Sequence, residues 1–360
     1  MRKGLGAIRA AFPRLDVGLA AKQERETGDP GRVHGVIQPR PDELDPRRNE
    51  SIVVSASRLE ALGSCPLRYL QSTVLRIRPP DDPELDPDSW LDPLRRGGLL
   101  HRVFEGVLRS ARERGVKYAD AGFETLALEV LDEDIRSLRD EVPVPGEGTL
   151  MRESAALRED VRSFVRMVRQ LGAPWVRLEF GFGLAEDEPV SLDLPEGALR
   201  LRGAIDRVDD PGIEGVRIVD YKTGVARGFG GSGVFNGGRR LQHALYAHAV
   251  ESRLGGQVAA GEYHFPTRRG ENQAHRFDRL GLAGVADLLG HMLDGVAAGR
   301  FVPTNDPDDC RFCGFAEICR VRRGEFGKVN APLADWSEQH LNTGLQPAFG
   351  HLKRVRTFED

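Results

Sequence analysis

Asp206 in "GAIDRVD", and Asp220 and Lys222 in "DYKTG", stand at the ends of two consecutive apolar runs. Side chains alternate across a strand, so in "GVRIVDYKTG" (215–224) Val216, Ile218, Asp220 and Lys222 share one face, apolar at its start and charged at its end. A short turn links the two runs, and antiparallel neighbours of this kind place two carboxylates side by side. Converging carboxylates repel each other unless a cation lies between them. A hard dication such as Mg²⁺ suits one or two carboxylates completed by waters and phosphate oxygens. Such an ion lowers the pKa of bound water and shields charge developing on a phosphodiester. An ammonium beside it positions the attacking water, work for which compact lysine is better fitted than guanidinium. Only six of the 51 basic residues are lysine, which makes a lysine at 222 a pointer to ammonium chemistry. Charged strand ends are common on solvated surfaces; the pairing of two such ends carries the reading.

A second group has metal-ligand character. "CRFCGFAEIC" contains Cys310, Cys313 and Cys319 as C-x₂-C-x₅-C, and Cys65 in "SCPLRYL" is the only other cysteine. Four thiolates suit Zn²⁺ or an iron–sulfur cluster, and the spacing leaves both open. Four cysteines in 360 residues do not make a secreted disulfide framework.

The elements that must position these groups follow from periodicity. Residues 55–75 read as a helix with Ser57 as N-cap and Glu60 as its capping-box partner. The proline-rich 79–93 is a loop. Residues 97–115 form an amphipathic helix with Leu100, Val103, Phe104, Val107, Leu108 and Ala111 on one side, and 119–140 and 151–171 give two more. Residues 175–184, 198–210 and 215–224 read as strands; 239–255 as a helix, 257–266 as a strand and 280–299 as a helix. The order is that of an α/β sheet with a helical insertion ahead of it. Residues 1–50 read as a poorly structured joint with one short helix near 4–12, 51–325 as the folded domain, and 326–360 as a C-terminal tail without a motif.

Composition bounds the function. Hydrophobic content is 40%, charged content 29% and net charge −4, as in ordinary soluble globular chains, so any basic surface is local. No run of eighteen apolar residues and no signal-peptide core is present, which predicts a cytoplasmic protein without a membrane partner. No G-x-x-x-x-G-K-[ST] motif occurs, so no ATP motor is visible in this chain.

Gly203-x-x-Asp206 on one strand and Asp220-x-Lys222 on the next resemble the PD-(D/E)XK nuclease superfamily, most closely its RecB/AddB-type branch, which includes the CRISPR-adaptation exonucleases. The resemblance covers about residues 50–325. It implies a restriction-endonuclease-like central mixed sheet flanked by helices. It implies Mg²⁺ or Mn²⁺ held by Asp206, Asp220 and His101 of "GGLLHRVFEG", with the Tyr221 carbonyl as a further ligand and Lys222 as the catalytic lysine. Gln242 and Tyr246 of "QHALY" match the family's Gln-x-x-x-Tyr motif and would arrange substrate. Many relatives carry Glu-x-Lys where this chain has Asp-x-Lys, and the RecB-type branch accepts Asp. Glu179 in "RLEFGF" is open between supporting the metal site and lying on the exposed side of a strand.

The resemblance also implies that Cys65, Cys310, Cys313 and Cys319 bind a 4Fe-4S cluster, a structural staple closing a loop of about 245 residues. By analogy with disulfide closure, that is worth ~5 kcal/mol of chain entropy. The implied activity is an exonuclease-type deoxyribonuclease acting on single-stranded DNA or DNA ends in double-strand-break repair and recombination, with an ATP-dependent helicase supplied by another chain. The alternative is a non-catalytic DNA-end-binding subunit. Arginines near the cysteines (311, 320, 322, 323) and near the carboxylates (95, 96, 102, 239, 240) would form a phosphate track if they converge.

Overall fold

In the computed structural model, the N-terminal stretch holds two helices, α1 (Arg2–Ala11) and α2 (Leu15–Glu26), rather than one short helix near 4–12. The structure describes residues 2–26, 31–79, 86–212, 215–226, 229, 233–304, 306–319 and 347–358. Within 31–50, expected to be irregular, Val36 bridges Arg300, and the buried pair Asp45–Arg47 (2.8 Å) reaches Asp294, 3.1 Å from Arg47.

Strand β1 (Val53–Ser55) enters α3 (Ala56–Ser64). The continuous helix expected over 55–75 breaks at Cys65, because Pro66 disfavours helical geometry at the residue before it and itself opens a new turn, Pro66–Tyr69. Helix α4 (Pro93–Glu113) begins earlier than its apolar pattern because Asp92 caps it, accepting from Leu94 N and Arg95 N at 2.9 Å each, with Pro93 in the first position. Its buried face, from Leu99 to Ala111, packs with α5 (Gly122–Glu141) and α6 (Glu147–Leu171) through Phe123, Leu131, Leu157 and Phe164.

Strands β2 (Trp175–Phe182), β3 (Val190–Leu194), β4 (Gly197–Asp209), β5 (Val216–Tyr221), β6 (Val258–Phe265) and β7 (Gln273–Asp278) complete a seven-stranded sheet of order β1-β4-β5-β6-β7, with β2 and β3 also paired to β4. Pairing is antiparallel between β4 and β2, β3 and β5, and between β6 and β7. It is parallel for β1–β4 and for β5–β6, whose connection carries α7 (Gln242–Leu254). Alternation along β5 sends Val219 and Tyr221 into the α4–α6 layer and Ile218 into the opposite core, shared by α3, α7 and α8 (Val285–Ala297). The chain thus has the mixed sheet flanked by helices, preceded by a helical insertion, that the sequence predicts.

Residues 279–297 are long and apolar enough to cross a membrane by composition, yet Leu288, Leu289, Leu293 and Val296 are buried in the protein core. At the C-terminal end, α9 (Gly350–Arg356) packs on α8 with Leu352 and Val355 buried, so 347–358 belongs to the folded body. The rest of the expected tail lies outside the described residues.

Candidate active site and cysteine cavity

Strands β4 and β5 run antiparallel with Arg207 opposite Val219, which brings Asp206 to the end of β5. One Asp206 oxygen accepts from Tyr221 N at 2.6 Å; the other lies 3.1 Å from His101 Nδ1. The β5 backbone and α4 therefore meet on one carboxylate. Helix α4 is fixed there by Phe104, whose ring packs edge-on to Tyr221 with centroids 5.3 Å apart. Tyr221 is itself anchored, since its hydroxyl accepts from buried Arg207 at 2.6 Å.

Glu179 lies between Leu178 and Phe180, which pair with Arg207 and Ile205, so it stands across from Asp206. Its φ of 47° is left-handed, a region other residues than glycine rarely adopt. Donor atoms of His101, Glu179 and Asp206 lie within 4.8 Å of one another. One imidazole nitrogen and carboxylate oxygens form a donor set that fits a divalent cation of the Mg²⁺/Mn²⁺ type.

Asp220 is buried, with an oxygen 2.7 Å from Lys222 Nζ. Lys222 Nζ also donates to Gln242 Oε1 at 2.5 Å, and its backbone N donates to His264 O at 2.8 Å. Gln242 Nε2 reaches Tyr246 Oη at 3.5 Å. A Cβ at Gly203 would stand 3.0 Å from the Phe182 ring and 3.1 Å from that of Tyr246, so the glycine of Gly-x-x-Asp makes room for this tyrosine. His101, Asp206, Asp220, Tyr221, Lys222, Gln242 and Tyr246 all line one open cleft.

The electrostatics are those of crowded acids. Burial raises the Asp220 pKa against the pull of Lys222, with Asp206 adding to the rise. Partial desolvation together with Asp206 and Glu105 pushes the exposed Glu179 up to about 7. For His101, burial opposes protonation, but Asp206 outweighs it and the pKa is raised. A bound dication reverses these preferences by favouring ionised carboxylates and neutral imidazole. Burial also opposes the Lys222 charge, but Asp220 more than compensates and its pKa is raised. Without a bound ion, Asp220 thus favours the ammonium form of Lys222.

The arginines largely serve structure. Arg96 pairs with Asp160 (2.6 Å), Arg95 with Asp92 (3.4 Å) and Arg239 with Asp309 (2.7 Å), while Arg240 stacks over Phe229. Arg320, Arg322 and Arg323 lie outside the described residues. Glu60 is used differently from the expected capping box. Its carboxylate accepts from Leu241 N (2.8 Å) and Gln242 N (3.1 Å) at the start of α7, and burial pushes its pKa up to about 7. Nothing in the local pattern around residue 60 signals a partner 181 positions away.

Cys65, Cys310, Cys313 and Cys319 line one small cavity together with Arg68, Gln71, Thr304 and Asp309. Cys65 sits at the joint after α3; Cys310 and Cys319 end two one-turn helices, Pro307–Cys310 and Ala316–Cys319. Burial raises the Cys65 thiol pKa. No three of these thiols approach within 4.8 Å of one another among the described residues.

Comparison with known proteins agrees with this geometry. The chain is similar to an ATP-dependent helicase/deoxyribonuclease subunit of Clostridium perfringens (strain SM101 / Type A), 26% identical over 216 residues, 55% of this chain and 17% of that protein. It is also similar to the protein of the same name from Symbiobacterium thermophilum, 29% identical over 243 residues, 60% of this chain and 20% of that protein. The matched region thus spans a fifth or less of these relatives' own length. The family model described as the PD-(D/E)XK nuclease superfamily matches residues 53–320, a stretch that holds every residue of the cleft and all four cysteines. With the two aspartates and the lysine at the ends of adjacent antiparallel strands, the chain belongs to the PD-(D/E)XK nuclease superfamily.

Proposed function

We propose that this chain is a divalent-metal-dependent deoxyribonuclease of exonuclease type, cutting single-stranded DNA or DNA ends during double-strand-break repair, alongside an ATP-dependent helicase. The carrying observation is the convergence of His101, Asp206, Asp220, Lys222, Gln242 and Tyr246 on one cleft. The names of the relatives support the DNA substrate and the helicase partner.

His101, Asp206 and Asp220 would hold Mg²⁺ or Mn²⁺, with Glu179 beside them and the Tyr221 carbonyl as a further ligand. When bound, the ion acidifies a coordinated water and neutralises charge on the phosphodiester. Lys222 orients the attacking water and stabilises negative charge, held between Asp220 and Gln242. Tyr246, packed under Gly203, fixes the far end of Gln242 and arranges substrate.

The four cysteines would hold a 4Fe-4S cluster. All four thiols line one cavity, a tetrathiolate set of the kind that holds such a cluster. Colourless protein with stoichiometric zinc would refute the cluster.

The deciding experiment incubates anaerobically purified protein with labelled single-stranded and duplex DNA in Mg²⁺ or EDTA, beside Lys222→Ala. Cleavage requires Mg²⁺, and the variant loses ~10²–10⁴-fold in rate while still binding DNA. Salt-sensitive binding without cleavage by the unaltered chain would instead identify a non-catalytic DNA-end-binding subunit.

A further inference from the structure

Helix α7 carries Gln242 and Tyr246 but has no side-chain cap of its own; Leu241 occupies the N-cap. Its first N–H groups need acceptors from elsewhere. Glu60 supplies them for Leu241 and Gln242 from α3, the helix that ends at Cys65. One turn on, a Cβ at Gly63 would lie 1.9 Å from the Gly238 carbonyl oxygen, so α3 touches the loop entering α7 backbone to backbone. The other arm of the cysteine cavity reaches the same place: Asp309, adjacent to Cys310, takes Arg239 through two bonds of 2.8 and 2.7 Å, three residues before Gln242. Arg356 of α9 joins the arms. Its guanidinium donates to Ser64 O (2.6 Å), Gly237 O (2.8 Å) and Asp309 Oδ2 (3.2 Å).

We propose that Glu60 and the Arg239–Asp309 pair are positioning residues that tie the Gln242 end of α7 to both arms of the cysteine cavity. What fills the cavity then governs how firmly Gln242 holds Lys222. Cross-linking residues 65 and 310 fixes both struts at once, and the α7 start, clamped between them, presents Gln242 Oε1 to Lys222 Nζ. The kinetic half of this inference rests on the nuclease reading above; the structural half does not.

The test measures hydrogen exchange over residues 239–250 in the full chain as purified, after iron or zinc is removed by chelator, and in Glu60→Ala, Glu60→Gln and Asp309→Asn. DNA cleavage kinetics are recorded in parallel. Glu60→Ala raises exchange in the first turn of α7 at least tenfold and lowers kcat at least tenfold, with KM for DNA unchanged. Glu60→Gln restores both, because an amide oxygen accepts the same N–H bonds. Asp309→Asn and chelation loosen the same turn. Unchanged exchange in Glu60→Ala, or equal losses in Glu60→Ala and Glu60→Gln that track loss of folded protein, overturns the tie. Unchanged exchange on chelation overturns its link to the cavity. Loosening of α7 in a chain that never cleaves DNA upholds the tie and removes the nuclease reading. Glu60→Ala that loosens α7 yet cleaves at the parent kcat overturns the kinetic half and leaves that reading.

Discussion

Asp206 joins two elements through one carboxylate, Tyr221 N on β5 and His101 on α4, while Glu179 stands opposite across the β2–β4 pairing. Glu179, in its left-handed backbone, offers one carboxylate oxygen within 4.8 Å of donor atoms of His101 and Asp206. Removing its charge while keeping its shape should weaken metal binding. Glu179→Gln should raise the Mg²⁺ or Mn²⁺ concentration needed for half-maximal thermal stabilisation by ~10-fold, read from melting curves in a metal titration. Glu60 gives a pH signature. Its folded pKa of about 7 lies above its ordinary value of 4.5, so the stability it contributes is full below pH 4.5 and is lost as pH rises through 7. The melting temperature of the parent should fall relative to Glu60→Gln across that window and run parallel to it above; equal slopes throughout would contradict the shift.

At the scale of elements, caps decide where the site-bearing helices begin. Asp92 starts α4 two turns ahead of His101, and Asp92→Ala should cost about 1 kcal/mol in urea unfolding, as N-cap losses do. Elements with a clear period were legible: the amphipathic α4, and the strands over 175–184, 198–210, 215–224 and 257–266. Strands β1, β3 and β7 were not. β3 sits between acidic and proline-containing turns, and β7 has no buried residue to mark a face. The break in α3 had a local cause in Pro66, but the apolar spacing on both sides runs through it.

For the whole molecule, the sheet lies between two helical layers, and the site forms where α4 from one layer and α7 from the other meet at the end of β5. The C-terminal segment closes this assembly from outside the family-matched 53–320. Phe349 is fully buried with Val302 and Leu352. Phe349→Ala should cost about 3–5 kcal/mol and lower the melting temperature, as large-to-small core substitutions do. A surface-like effect would show that α9 is not part of the fold.

The sequence by itself determined the chemistry available: two strand-end aspartates, one lysine among arginines, a histidine on an apolar helix, a Gln-x-x-x-Tyr pair and four thiols. Short-range alternation and helical period decide such things, because they act between neighbours in the chain. Only the tertiary structure decided which groups meet. Glu60 serves α7 rather than its own helix, Arg239 faces Asp309 instead of a phosphate, and Arg356 reaches both cysteine arms. These contacts join residues as far as 292 positions apart, and buried polar groups take whichever partner the packed core brings within reach.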